Sequence, residues 1–322
     1  MTPIFATFLQ DHAEQVEHAA EGAHAEGGAF NAGEVIIGHV SNSGLDHPLI
    51  HLPTIGGIDF SVTKHVFMLW LVAATVFVIV TVAVRAYLKQ DRKIPTGFMN
   101  GLEALVEFVR DSIVLPNVGK KWVNTWTPLL LTLFFFILGA NAIGLIPIFD
   151  VLGLVNHYVL HTSPDSFLSQ VLHGGTTATA NFNVTAALAT ITFFAIIIAG
   201  TKAHGFVKHW MNLVPHGLAW PIYILLIPIE IMGMFVKPFA LTMRLAANMT
   251  GGHIAILAIL SFVFLFTEMF GTALAGIGVG LAVSVPLAVG ISALEIIVVL
   301  VQAYVFTLLT AVFIGMAIHV HH

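Results

Sequence analysis

The sequence has no cysteine in 322 residues. That excludes disulfides and thiolate metal sites without identifying a compartment. Charge is also scarce. Asp, Glu, Lys and Arg make up 9% of the chain, against about 25% in an average soluble domain. Positive charge is scarcest, with 12 Lys+Arg against 17 Asp+Glu and a net charge of −5. Such a balance leaves no general basic surface for nucleic acid. What is abundant is apolar: 57% of residues are hydrophobic, and the mean hydropathy is +0.93. These values argue against a soluble globular domain and a disordered chain alike. They point to an all-α polytopic membrane protein, whose natural unit is a span of about 20 apolar residues.

The charges are unevenly placed. Residues 1–63 hold eight acids and six histidines but no Lys or Arg. This segment reads as a polar, weakly ordered extension. Its histidines are irregularly spaced, so no metal site is expected. It lacks a basic start, and its first apolar run breaks at Gln10 and Asp11, unlike a signal peptide. Residues 64–322 read as one membrane domain. The first span, 66–88, runs into Arg85, Lys89, Arg92 and Lys93. The positive-inside rule puts that end inside and the acidic extension outside. In 98–115, Phe98, Leu102, Leu105, Val109 and Ile113 recur at helical spacing, with Glu103, Glu107, Arg110 and Asp111 on the other face. This is an amphipathic helix, either interfacial or packed laterally against the spans.

Lys120 and Lys121 precede a second span at 126–149, and a loop without Lys or Arg, 150–180, lies outside. A third span, 182–201, returns to Lys202 and Lys208 inside. From 218 to 270 there is no polar loop, and Pro221, Pro228 and Pro238 are expected to kink a helix rather than end it. A small-residue stretch, 271–286, contains Gly276-x-x-x-Gly280. It reads as a flexible turn with some helix packing before the last span, 287–319. Fifty helical residues reach about 75 Å, far beyond a hydrocarbon core of about 30 Å. The expectation is about five membrane helices, the last two forming a long tilted hairpin with its turn outside and the C-terminus inside.

The last 150 residues hold seven charged side chains: Lys202, Lys208, Glu230, Lys237, Arg244, Glu268 and Glu295. Lys202 and Lys208 belong to a loop, and Glu268 to the turn. The other four stand in apolar sequence, where a charge costs at least about 2.5–3.5 kcal/mol at the bilayer centre and so marks a candidate site. Glu230, Lys237 and Arg244 recur every seven residues, which places them on one helix face, and Asn248 extends it. Ser292, Glu295 and Gln302 form a second stripe. In an antiparallel pair Arg244 and Gln302 share a depth. His253 and Glu295 share another, displaced toward the outside, while Glu230 falls on the inner side. Titratable groups thus flank an arginine that keeps its charge. That layout suits a proton path in two offset halves. The plainer reading is that Glu230, Lys237 and Arg244 form buried ion pairs that fix helix packing.

At these residues the sequence resembles subunit a of the rotary ATP synthase, the stator of its membrane sector. Lys237-Pro-Phe-Ala-Leu-Thr-Met-Arg244-Leu-Ala-Ala-Asn248-Met-Thr-Gly-Gly-His253 is similar to that family's R-L-x-x-N-M-x-x-G motif. Leu300-Val-Gln302-Ala-Tyr-Val-Phe306 is similar to its terminal L-x-Q-A-x-x-F motif. Asn141-Ala-Ile-Gly-Leu-Ile-Pro147 and Asn181-Phe-Asn183-Val-Thr185 resemble polar ends of its second and third spans. The resemblance covers residues from about 60 to 318 and leaves out the acidic extension. It implies that Arg244 faces the rotor, with Asn248 and Gln302 supporting it. His253 and Glu295 would line the outer half-channel, and Glu230 would belong to the inner one. Asn141, Asn181, Asn183, Ser292 and Lys237 would be secondary lining residues. In several bacterial members the acid stands on the arginine helix and the histidine on the last helix; here the two are exchanged.

The implied partners are the ring of subunit c, the peripheral-stalk subunit b, other Fo and F1 subunits, lipid and protons, in an energy-transducing membrane such as a bacterial inner membrane or that of mitochondria. No cofactor is implied. The chain carries no G-x-x-x-x-G-K-[ST] loop, so ATP chemistry is expected elsewhere in the proton-transporting two-sector ATPase. Two alternatives remain. An ion-coupled secondary transporter would show inverted repeats, and no such symmetry relates the halves. A structural subunit of a respiratory complex would need Arg244 for assembly rather than turnover.

Overall fold

A lipid environment offers no water to backbone N–H and C=O groups, so a chain this apolar satisfies them within helices. The computed structural model describes residues 50, 52–53, 61–89, 96–145, 177–212, 220–270 and 273–319. Helix α1 spans Lys64–Leu88. Helix α2 (Phe98–Glu107) runs through a π-helical stretch, Phe108–Val114, into the single turn α3, Leu115–Val118. Helices α4 (Val123–Leu145) and α5 (Phe182–His204) follow, then the short α6, Phe206–Met211. The last two are α7, Trp220–Phe270, and α8, Ala273–Ile318. Five of these, α1, α4, α5, α7 and α8, are long and apolar enough to cross a membrane. The protein is an all-α polytopic membrane protein, as its composition predicts.

Pro228 and Pro238 lie inside α7 without ending it. At 51 residues and about 1.5 Å per residue, that helix is far longer than one perpendicular crossing. One expectation fails. Residues 273–286 are helix rather than turn, because α8 begins at Ala273 and carries Pro286 in its interior, while 271 and 272 lie outside the described residues. The physical reason is close packing. A Cβ built on Gly280 would stand 2.7 Å from the Val263 Cα, so the missing side chain admits the backbone of α7. Glycine therefore marks contact here rather than a break. The second span begins three residues earlier than expected, at Val123, and the third runs past Lys202 to His204. The acidic extension, the loop expected after residue 150, Arg92 and Lys93 fall almost wholly outside the described residues.

The chain divides into two compact units, and α7 and α8 contribute to both. The larger comprises Met68–Ala142, Thr177–Asn248 and Ile297–His322. Its core gathers Val109, Ile113, Trp126, Leu130, Ile137, Leu188, Leu241, Leu245, Phe306 and Ile314. One flank of α2 and its π-helical continuation packs into the protein, an arrangement open to an interfacial helix and to a laterally packed one alike. Leu102, Val109 and Ile113 are buried, whereas Phe98 is 67% and Leu105 36% exposed. The helix ends of this unit are stitched by histidines. His204 Nε2 lies 2.8 Å from the Ile318 carbonyl, and His319 Nε2 lies 3.1 Å from that of Val118. These are terminal carbonyls that lack a helical partner.

In the other unit, Ile50 and Val62 pair as a short antiparallel bridge. The parts of α7 and α8 that it contains run antiparallel. Gly280 meets Val263 and Glu295 meets Gly252, so moving back along one helix moves forward along the other.

Candidate functional site

In the larger unit, Leu241 and Leu245 turn one face of α7 into the core. The flank beside these leucines carries Ala240, Arg244, Ala247 and Asn248, all exposed, with Asn248 nearest the core-facing stripe. Among the described residues Arg244 has no hydrogen bond and no ion pair; the one ion pair found joins Arg110 to Asp111 at 3.3 Å. The expectation of buried ion pairs among Glu230, Lys237 and Arg244 therefore fails among these residues. A heptad separates neighbours along the helix by about 10 Å, too far for contact. Lys237 is half-buried, with its ammonium 5.6 Å from the centre of the Phe313 ring. Glu230 is half-buried.

Beside the arginine, Asn248 Nδ2 donates to Gln302 Oε1 at 2.9 Å. Gln302 is 3% exposed, and its Nε2 has no partner among the described residues. Spacing puts Arg244 and Gln302 at a shared depth; the side chain that Gln302 meets is Asn248, one turn along α7 from Arg244. The bond orients Asn248 within one turn of Arg244.

In the other unit, Glu295 is 4% exposed, and neither carboxylate oxygen has a hydrogen-bond partner among the described residues. A buried polar group without partners is costly, so it calls for water or a proton from outside the chain's own groups. Its position follows from Gly252. A Cβ built there would lie 2.8 Å from the Glu295 Cδ and closer still to Oε1. The carboxylate occupies the space an alanine methyl would take, beside the residue that precedes half-buried His253. Ser292 is half-buried one turn away on α8, and Ser284 is fully buried.

The asparagines of the larger unit play different parts. Asn141 is 0% exposed and accepts the Thr179 hydroxyl at 2.5 Å. Asn181 caps α5 by accepting the Asn183 backbone N–H at 2.8 Å. Asn183 itself is exposed. Sequence reasoning missed Gly252 and Thr179. The first had a signal: two adjacent glycines inside an apolar helical run announce close approach of something bulky.

Comparison with known proteins identifies the family. A family model described as ATP synthase A chain matches residues 66–315. The chain is 40% identical to ATP synthase subunit a 2 of Prosthecochloris aestuarii, over 93% of its own length and 84% of the relative's. It is 41% identical to ATP synthase subunit a 2 of Chlorobium luteolum, over 97% and 84%. It is 36% identical to ATP synthase subunit a of Anaeromyxobacter dehalogenans, over 98% and 77%. A match over 98% of 322 residues leaves out about 6 of them. The likeness therefore reaches into the acidic extension, contrary to the expectation that it stops near residue 60. An exposed mid-helix arginine, its Asn–Gln support, five apolar helices and a family match over most of the sequence lead to one assignment: the chain belongs to the ATP synthase A chain family, the membrane-embedded subunit a.

Proposed function

We propose that this chain is the proton-conducting stator of an ATP synthase, with no active site of its own. The observation that carries the reading is Arg244: exposed on an apolar helix, without an ion pair among the described residues, and flanked on its face by Ala240 and Ala247. A lone cation in such a place needs an anion from another molecule, and small neighbours leave room for a second helix to approach. A carboxylate on a ring of rotor subunits, subunit c, meets both needs.

The mechanism follows from which charge states tolerate lipid. A proton enters from outside past Glu295 and His253 and neutralises a rotor carboxylate. The neutral acid then moves into lipid, where it is far cheaper than its anion. After nearly a full turn it reaches the inner path near Glu230 and releases its proton to the side of higher pH. Arg244, which stays charged, stabilises the anion between the two paths and repels a proton attempting to cross directly. Asn248 and Gln302 hold the surroundings of the guanidinium, and Lys237, Ser292, Asn141, Asn181 and Asn183 are secondary lining residues. A membrane potential supplies about 2.3 kcal/mol per charge per 100 mV, which sets the direction. Subunit b of the peripheral stalk and the other Fo and F1 subunits complete the machine in an energy-transducing membrane such as a bacterial inner membrane, the N-terminus outside and the C-terminus inside.

The test is Arg244→Ala in the assembled complex. The expected result is normal assembly with ATP synthesis and ATP-driven proton pumping both abolished. Retained pumping refutes the assignment, and loss of assembly makes Arg244 a structural residue instead.

A further inference from the structure

The fold-back at the end of α5 has a surface that the proton path does not use. Gly205, at φ +88°, reverses the chain after His204, and the six residues of α6 return alongside α5. One side chain pins the reversal. His209 is 6% exposed, with its ring pressed into the space left by the missing side chain of Gly200. Its neighbours all point away: Phe206, Val207, Trp210 and Met211 are 64%, 68%, 42% and 58% exposed. Phe206 and Trp210 touch edge to face, with ring centres 6.3 Å apart, and form one aromatic patch. Lys208 is exposed among them, and Lys202 is exposed at the end of α5. Neither lysine has an ion pair among the described residues.

This patch continues an exposed apolar stripe on α5, a helix long and apolar enough to cross a membrane. Phe194 and Ile198 are 56% and 47% exposed on α5, and Lys202 is the next residue in that four-residue series. The stripe therefore runs from hydrocarbon depth to a cation at the span's end, where lysine snorkels and tryptophan sits at headgroup level. An apolar patch so placed, bearing two unpaired cations and adjoining that stripe, is complementary to an anionic bilayer surface.

We infer that α6 is an interfacial anchor: Phe206, Val207, Trp210 and Met211 dip into the leaflet while Lys202 and Lys208 hold the phosphate of an anionic phospholipid. Each lysine near an anionic surface raises partitioning roughly five-fold. The pair should therefore concentrate anionic lipid around this corner over neutral lipid.

The experiment exploits the absence of cysteine. Val207→Cys is introduced into the complete complex, its other subunits made cysteine-free, and labelled with an environment-sensitive fluorophore. The complex is reconstituted in vesicles of phosphatidylcholine and phosphatidylglycerol, either of which carries brominated chains. The expected result is quenching by brominated lipid, several-fold stronger when the bromine is on phosphatidylglycerol at equal mole fraction. Lys202→Gln with Lys208→Gln should equalise the two lipids while quenching persists. Quenching by aqueous iodide alone overturns the proposal, since the patch then faces water. Shielding from both quenchers also overturns it, because a protein partner then covers α6. Equal quenching by the two lipids in the parent overturns the anionic preference.

Discussion

Replacing Gly252 by alanine adds one methyl group, and the structure says what that methyl meets. It would lie 2.8 Å from Cδ and 3.1 Å from Cγ of Glu295, and closer to Oε1. All three distances are shorter than van der Waals contact, so either the helices separate or the carboxylate leaves its place. Overpacking of this kind costs about 1–3 kcal/mol. Alanine regains about 1 kcal/mol over glycine in helix preference. Net stability should therefore fall by about 0–2 kcal/mol, while the position of Glu295 changes substantially. If the carboxylate yields, a displacement worth about 1–2 kcal/mol lowers occupancy of its present position roughly 5- to 30-fold. Proton uptake through that group should fall by a similar factor. The assay is ATP-driven acidification of inverted vesicles, read by a quenched dye, alongside assembly of the complex. Gly290→Ala is the control, since nothing lies within 4 Å of a Cβ there; it carries the same helix preference and should leave pumping intact. Glu295→Asp in the Gly252→Ala background withdraws the carboxylate by one methylene and should restore part of the flux. Unchanged pumping in Gly252→Ala with normal assembly would refute the reasoning, because the contact would then have no bearing on transport.

Two further predictions concern the larger unit. Gly315→Ala drives a methyl into the backbone carbonyl of Asn117, which cannot rotate away as a side chain can; the variant should lower the thermal stability of the complex by at least about 1–3 kcal/mol equivalent, and an unaltered melting curve would dismiss it. His209 is held below its ordinary value of 6.5 first by burial and then by the nearby charge of His204. The unfolded corner thus binds more protons than the folded one, so the contribution of this one group to stability declines as pH falls below about 6.5 and is gone once pH is below the folded value. Hydrogen exchange of residues 200–211, compared at about pH 7.5 and about pH 5.5, should show extra opening at the lower pH that His209→Gln removes; identical pH responses in parent and variant would count against it.

The spans were legible because hydrophobicity over 20 or more residues leaves few alternatives to a membrane helix. Arg244, Glu295 and Gln302 were legible for the converse reason: a charge or amide in such sequence is conspicuous. Glycine was what misled. Composition alone makes 271–286 look like a turn, whereas Gly280 is a contact point inside α8. Gly252 escaped notice because its contribution is an absent side chain, which has no chemistry to recognise until its neighbour is seen. The amphipathic segment 98–115 left two readings open, since a buried flank and a lipid-facing flank share one hydropathy. Burial of Val109 and Ile113 identifies the packed flank.

The antiparallel contacts of Val263 with Gly280 and of Gly252 with Glu295 have a consequence for inheritance. One residue inserted into either arm between these contacts shifts everything beyond it by about 1.5 Å and turns it by about 100°. The carboxylate would swing off its glycine. A matching insertion on the other arm would restore the rise but turn that helix by the same angle, so neither contact face would meet its partner. Substitutions can accumulate in this hairpin one at a time, whereas a single-residue insertion or deletion between the contacts is not rescued by a second one on the other arm.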